Sequence, residues 1–442
     1  MYVRFVIFSF VAISIFPLAL MATEPSESLI VLRAARLWDG RSSSPVQNGV
    51  VVVEAGVIKT AGAGAQIPEG AKVIDLGDVT LLPGFIDLHV HTDGELGSNY
   101  VQAFFESLRS GVPEETLRSA VFARRMLDAG FTTIRNLGSA YRIDAGLRDG
   151  IAKGYVVGPR IIAATNSLGA RGGHCDSGGF PENTFGKESD ISDGIASGPD
   201  EFRDAVRYQV KYGADVIKVC ATGGVLSLTD EVDTPQITQD EMNAIVDEAH
   251  RLRKRVAVHA HGAEGAKVAV RANADTIEHG SFLDEEALRM MKEKGTWFVP
   301  TLLAGESVGT GPAAKALPPE VRAKADHALA KRSESFKNAL KIGVKIAFGT
   351  DSGVSKHGEN AKEFTLLVNH GMTPLAALQT ATVNAAEALG LNREIGSLEP
   401  GKTADIIAVS GNPFQDIRAT ENVRFVMKNG QVVKHGVDGI LR

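Results

Sequence analysis

The chain has 442 residues, too many for a small module and enough for a barrel plus one accessory domain. Hydrophobic residues make up 44% and charged residues 23%, the composition of a globular protein with a sizeable buried core. A formal charge of −6 without any basic run argues against nucleic acid as a partner.

The first segment, 1–22, has one early charge, Arg4, an apolar run from Phe5 to about Leu20, and then Ala22 before polar residues. It reads as a secretory signal peptide cleaved near Ala22. An uncleaved anchor is the alternative, but the run is slightly short of the ~20 residues a span needs, and Pro17 sits near its end. No cysteine stands there for a lipid anchor. The expected location is periplasmic or secreted, with no membrane association once the leader is removed.

Short β-branched runs bounded by glycine follow at 28–40, 49–62 and 71–84 and read as antiparallel strands. The end of the chain looks the same, with runs at 403–411 and 423–436 and a strong hairpin turn at Lys428-Asn429-Gly430-Gln431. Neither end closes a core alone. The segments 23–82 and 392–442 are therefore expected to pair into one small β-sandwich.

Between them, 83–391 alternates apolar strands with amphipathic helices. The strands fall at 84–91, 131–138, 160–166, 214–224, 255–262, 275–281, 296–302 and 345–353. Helical patterns such as 199–213 and 238–254 lie between them. Eight such units predict an α/β fold, a (β/α)8 TIM barrel. An open doubly wound sheet is disfavoured, because its phosphate-binding glycine fingerprint is absent after the first strand.

Polar residues then collect at the carboxyl ends of these strands, where this fold places its active sites. They are His89 and His91, Lys218, His259 and His261, Glu278 and His279, and Asp351. Residues i and i+2 of a strand face the same way, so His89 and His91 can share one metal. A lone His-x-His is weak evidence. Here it occurs twice, each time ending an apolar strand, with a further His and an Asp at later strand ends. A set converging on one barrel end points to metal, and imidazole with carboxylate suits zinc. Lys218, in the apolar run IKVC, is costly to bury charged and alone. It is either ion-paired, for example with Asp351, or chemically altered.

Taken in order, His89-x-His91, Lys218, His259, His279 and Asp351 resemble the binuclear branch of the amidohydrolase superfamily. The segments LLPGFIDLHVH, GTDSG, HGMTPLAALQTATVNAAEALGL and IGSLEPGKTADIIAV do so too. The likeness covers nearly the whole chain after the leader. It is strongest to prolidase-like exported dipeptidases or carboxypeptidases and to ochratoxin-hydrolysing amidohydrolases. The resemblance implies that Lys218 is carboxylated by CO2 and that its carbamate bridges two divalent metals, zinc by the ligand types. His89, His91 and Asp351 would hold one metal, and His259 and His279 the other. His261 would stand behind the ligands or touch substrate, near the more open metal, which would polarise the scissile carbonyl. Asp351 would also orient the attacking water, take its proton and pass it to the leaving amine.

The expected reaction is hydrolysis of an amide in a small peptide-like substrate with a free carboxylate. A cyclic amide, imidazolone or lactone hydrolase, or a deaminase, is the alternative; mononuclear members of those groups typically lack the strand-4 lysine. A metal-binding protein without turnover is a third reading. Relatives are often oligomeric, which suggests a homo-oligomer. Four further residues are candidate substrate contacts or ordinary loop residues. His174 and Arg171 lie in the glycine-rich loop ARGGHCDSGGF, and His357 follows strand 8; His261 is the fourth. Prolidase-like relatives tend to carry glycine where Cys175 stands. The acids Asp230, Glu231 and Asp233 favour a cationic substrate side chain or are simply solvated. The two cysteines, Cys175 and Cys220, are no disulfide framework, and their spacing does not say whether they pair.

Overall fold

The computed structural model describes residues 29–436 apart from 177, 183 and 185. The leader expected over 1–22 lies outside the described residues. Among the described residues, no helix is long and apolar enough to cross a membrane.

Both chain ends contribute to one sheet. Its order is Gln431–His435, Val423–Lys428, Ile406–Ser410, Val79–Pro83, Ile30–Leu37, Val46–Glu54 and Val57–Ala63, with Lys72–Asp75 also paired to Ile30–Leu37. The strands follow one hydrogen-bonded path rather than two separate sheets. Nor are they all antiparallel, because Ile30–Leu37 pairs parallel with both Lys72–Asp75 and Val79–Pro83. Crossovers make this possible, and a local hydrophobic pattern carries no information about them. Leu32, Val51, Ile58, Leu81, Ile406 and Phe425 form a core separate from that of the rest of the chain. The turn at Asn429 and Gly430 has φ 50° and 74°, the left-handed pair a tight hairpin requires.

The middle of the chain builds parallel sheets. One contains Phe85–Val90, Phe131–Asn136 and Arg160–Ala163; the other contains Val216–Cys220, Arg255–Gly262, Thr276–Phe282 and Trp297–Val299. Backbone hydrogen bonds join them on both sides. Leu168 N–H donates to the Lys218 carbonyl and Cys220 N–H to the Leu168 carbonyl, both at 2.8 Å. The segment 345–353 is not a regular strand, yet it bridges the other gap. Phe298 N–H donates to Lys345 (2.8 Å), Leu88 N–H to Phe348 (2.9 Å) and Asp351 N–H to His89 (2.7 Å).

Helices cover the outer faces of these strands. Gln239–Arg251 shows why they form where they do. Thr238 caps it with Glu241 in a reciprocal capping box, and Met242, Ile245, Val246 and Ala249 bury one stripe. Pro199–Lys211 starts with proline and two acids in its first turn and buries Phe202, Ala205 and Val206. The strands and helices share one large core, and the polar strand ends open from it.

Candidate metal centre

The strand Phe85–Val90 is buried throughout, so a histidine there must find internal partners. His89 Nδ1 lies 2.9 Å from Glu278 Oε2, which turns Nε2 towards Lys218 Nζ (3.4 Å) and Asp351 Oδ1 (3.5 Å). His91 repeats the scheme. Its Nδ1 faces the Gly138 carbonyl at 3.1 Å and its Nε2 faces Asp351 Oδ1 at 3.4 Å. His89, His91 and Asp351 thus present ligand atoms within 4.8 Å of one another.

A second group, His259, His261 and His279, meets the same 4.8 Å limit. His279 Nδ1 is tied to Thr301 Oγ1 at 2.8 Å and His261 Nδ1 to Ser281 Oγ at 2.9 Å, leaving Nε2 free in each ring. His259 is tied through Nε2 to the Gly223 carbonyl (3.1 Å) and presents Nδ1 instead. One tied nitrogen per ring fixes the tautomer and aims the other, the usual support of a metal-ligating imidazole. The ring centroids of His89 and His279 are 4.8 Å apart, so the two groups adjoin, with Lys218 beside His89.

Two of these residues sit in strained backbone. His279 has φ 69° and Asp351 φ 56°, in the left-handed region that costs a non-glycine residue on the order of 1–3 kcal/mol. In a regular strand Glu278 and His279 would face opposite ways. Here Glu278 reaches His89 while the neighbouring His279 ring packs against the same His89, so both serve the site.

The electrostatics fit a cation. Burial holds His89, His259 and His279 well below the usual imidazole range, and His261 falls to about 3, so the rings are neutral and able to ligate. Burial raises the carboxyl of Asp351 and lowers the Lys218 ammonium to about 8. A cluster of neutral imidazoles around a carboxylate that burial destabilises is the donor set of a divalent metal such as zinc.

A support beneath the site was not singled out from the sequence. Arg135, buried in the strand Phe131–Asn136, donates to Glu278 Oε1 (2.8 Å) and to the Leu88 carbonyl (2.6 Å). Thr276 Oγ1 also donates to Glu278. The signal was weaker than for Lys218, since the strand FTTIRN mixes two apolar residues with threonine and asparagine. Arg135→Met removes the cation paired with the buried Glu278 carboxylate and is expected to cost about 3–5 kcal/mol of stability. Urea unfolding checks this, and an unchanged midpoint would exclude the support role.

The candidate substrate contacts separate. His174 lines the metal cavity; its ring stacks on His259 with centroids 4.3 Å apart, and its Nδ1 meets Ser227 Oγ at 3.1 Å. Gly224 permits this, because a Cβ there would sit 2.1 Å from the His174 ring. Arg171 does not line the cavity. It is exposed, 3.7 Å from Glu188. His357 is also displaced from the cavity. It is buried behind the ligands, bonded to Glu95 (2.9 Å) and to the His91 carbonyl (3.0 Å), and so braces His91 from outside. Of the three acids, Glu231 and Asp233 are exposed, and Asp230 is engaged by Lys324 at 3.1 Å.

Cys175 and Cys220 form a disulfide, and both line the cavity. The bridge ties the His174 loop to the strand carrying Lys218. A chain-entropy argument puts its worth at about 4 kcal/mol for a separation of 45 residues. The Cys175→Ser/Cys220→Ser variant is expected to melt several degrees lower. Identical melting temperatures would show that the bridge carries no stability.

Neutral imidazoles and a carboxylate gathered where parallel strands end make a candidate metal site. The chain belongs to the amidohydrolase family, whose model matches residues 80–439. Ochratoxinase of Aspergillus niger is 32% identical over 444 aligned positions, covering 95% of this chain and 89% of that protein. The crystal structure of a Xaa-Pro dipeptidase with methionine bound in its active site has a TM-score of 0.88 at 39% identity, covering 92% of this chain and all of that one. The A. niger ochratoxinase structure gives a TM-score of 0.81 at 31% identity over 94% of this chain and 97% of that one. The chain is a hydrolase acting on amide bonds.

Proposed function

We propose that the protein is an exported, binuclear metal-dependent amidohydrolase. It cleaves an amide in a small peptide-like substrate with a free carboxylate, as a dipeptidase or carboxypeptidase or on ochratoxin-type N-acyl amino acids. The observation that carries this reading is the adjacency of the two ligand groups, with Lys218 beside His89. The succession of parallel segments around them supports a closed (β/α)8 barrel. Lys218, as a carbamate formed with CO2, would help hold both metals. His89, His91 and Asp351 would hold one metal with it, and His259 and His279 the other. When bound, such a pair lowers the pKa of a water and polarises a carbonyl.

The chain's own residues do the rest. Asp351, between His89 and His91, orients the attacking water, accepts its proton and returns it to the leaving amine. His261 and His174 line the cavity at the second group, where they orient the scissile amide. The mature protein works in a periplasm or outside the cell. The disulfide fits an oxidising compartment, and the composition of 1–22 fits a leader.

Hydrolysis of a dipeptide and N-acyl amino acid library by zinc-loaded, bicarbonate-treated protein tests the reading. Turnover of one class of substrate is expected. Inertness towards every amide, with two metals bound, would move the assignment to cyclic amides or lactones.

A further inference from the structure

Resting on that reading, we infer that the amino acid released by the enzyme carries an uncharged aliphatic side chain of leucine or methionine size, and that basic side chains are excluded.

The metal cavity encloses about 290 Å³. Its described lining holds one carboxylate, Asp351, which belongs to the ligand set. Away from the histidines, Lys218 and Asp351, most of the wall is apolar, with Ser167, Ser281, Thr301 and Arg332 as its polar members. Leu226 comes from the loop after Val216–Cys220, Ala304 and Val308 from the helix Leu302–Gly309, and Ala325, Ala328 and Leu329 from the helix Pro319–Ile342. Methyl and isobutyl groups offer a side chain dispersion contacts and no hydrogen bond.

Two acids stand close enough to have given this wall a negative charge, and neither does. Asp230 accepts from Lys324 at 3.1 Å, and Lys324 also donates to the Ser227 carbonyl (2.6 Å), which pins the loop to the helix. Glu306 accepts from Arg332 at 2.6 Å. Of that second pair only Arg332 belongs to the lining. Outside the ligand set, the charged side chain on this wall is therefore a cation, Arg332. It suits a free carboxylate and opposes a lysine or arginine side chain, which would also lose its hydration against alanine and leucine.

The orientation follows from the neighbouring space. A wider cleft of about 890 Å³ shares His91, Ser167 and Leu226 with the cavity and carries three acids, Asp93, Glu95 and Asp193, against two bases, Arg142 and Lys187. That cleft takes the amino-terminal half of the substrate with its ammonium group. The smaller apolar cavity takes the carboxyl-terminal half. Selectivity is then strict for the second residue of a dipeptide and loose for the first.

The experiment is a matrix of kcat/KM values for Ala-Xaa and Xaa-Ala dipeptides with the metal-loaded full chain. Ala-Leu and Ala-Met are expected to exceed Ala-Arg by at least about 100-fold and Ala-Gly by at least about 10-fold, the scale on which apolar pockets discriminate. Leu-Ala and Arg-Ala should differ by less than that. Ala304→Asp and, at a half-buried position, Leu329→Asp should each lower the Ala-Leu to Ala-Arg ratio at least tenfold, so one folded variant suffices. A preference for Ala-Arg, selectivity confined to the first residue, or an unchanged ratio in a folded variant overturns the inference alone. Failure to cleave any dipeptide overturns the peptidase reading, and the inference with it.

Discussion

Lys218→Ala is expected to lose hydrolytic activity by on the order of 10³-fold or more, while the protein stays folded. Lys218 is 3% exposed in an apolar strand, and its neighbours are the ligand histidine His89 and, through charge, Glu278 and Asp351. A structural lysine in that place would act only through its charge. A carbamate acts as an anionic bridge instead. The amine adds to CO2, a C–N bond forms, and one proton leaves to solvent. The pull of burial on the Lys218 ammonium, down to about 8, favours the neutral amine this step needs. Two readouts separate these roles. Formate or propionate added to Lys218→Ala should restore part of the activity by replacing the missing carboxylate, and metal content should fall from two equivalents in the variant without them. Activity within tenfold of the parent, or full metal content without turnover or rescue, would eliminate the bridging role. Lys218→Met, which refills the space, guards against reading a packing defect as lost chemistry.

Asp351→Asn carries the second large effect. Turnover should fall by about 10²–10⁴-fold, the range of a lost general base, with the substrate KM little changed. Melting should stay near that of the parent or rise. Burial pushes the Asp351 carboxyl up, so the apo protein bears a cost for holding it ionised that the amide does not incur. Elemental analysis should find most of the metal still bound, because His89 and His91 remain. Near-parental turnover would remove Asp351 from proton transfer. Loss of turnover together with loss of metal would make it a ligand only.

The histidines, Lys218 and Asp351 were legible because each is a polar residue within or just after an otherwise apolar run, an anomaly visible one residue at a time. Arg135 stands in the more polar run FTTIRN, and its role lies in a partner 143 positions away, a distance along the chain that hides such pairs. The loop residues were the least legible. Arg171 shares the glycine-rich loop of His174 and His357 sits in a similar polar segment, yet of the three only His174 lines the cavity. Which way a loop folds depends on what it packs against. Asp230 shows the same limit, since its chemistry is decided by Lys324 from a helix 94 residues away.

What the sequence determined by itself was whatever repeats locally. That includes the alternation of strands and helices, the glycine-bounded β segments at both ends, and the inward i, i+2 placement of His89 with His91 and His259 with His261. What only the tertiary structure decided was pairing between distant segments. The sheet that joins the two ends runs parallel in part, Cys175 meets Cys220, and left-handed backbone at His279 and Asp351 brings neighbouring side chains to one site. The physical reason is the range of the forces. Hydrophobic period and turn chemistry act within a few residues. The partner of a buried charge, a thiol or a strand edge is set by the packing of the whole chain, which alone can hold a strained residue in place.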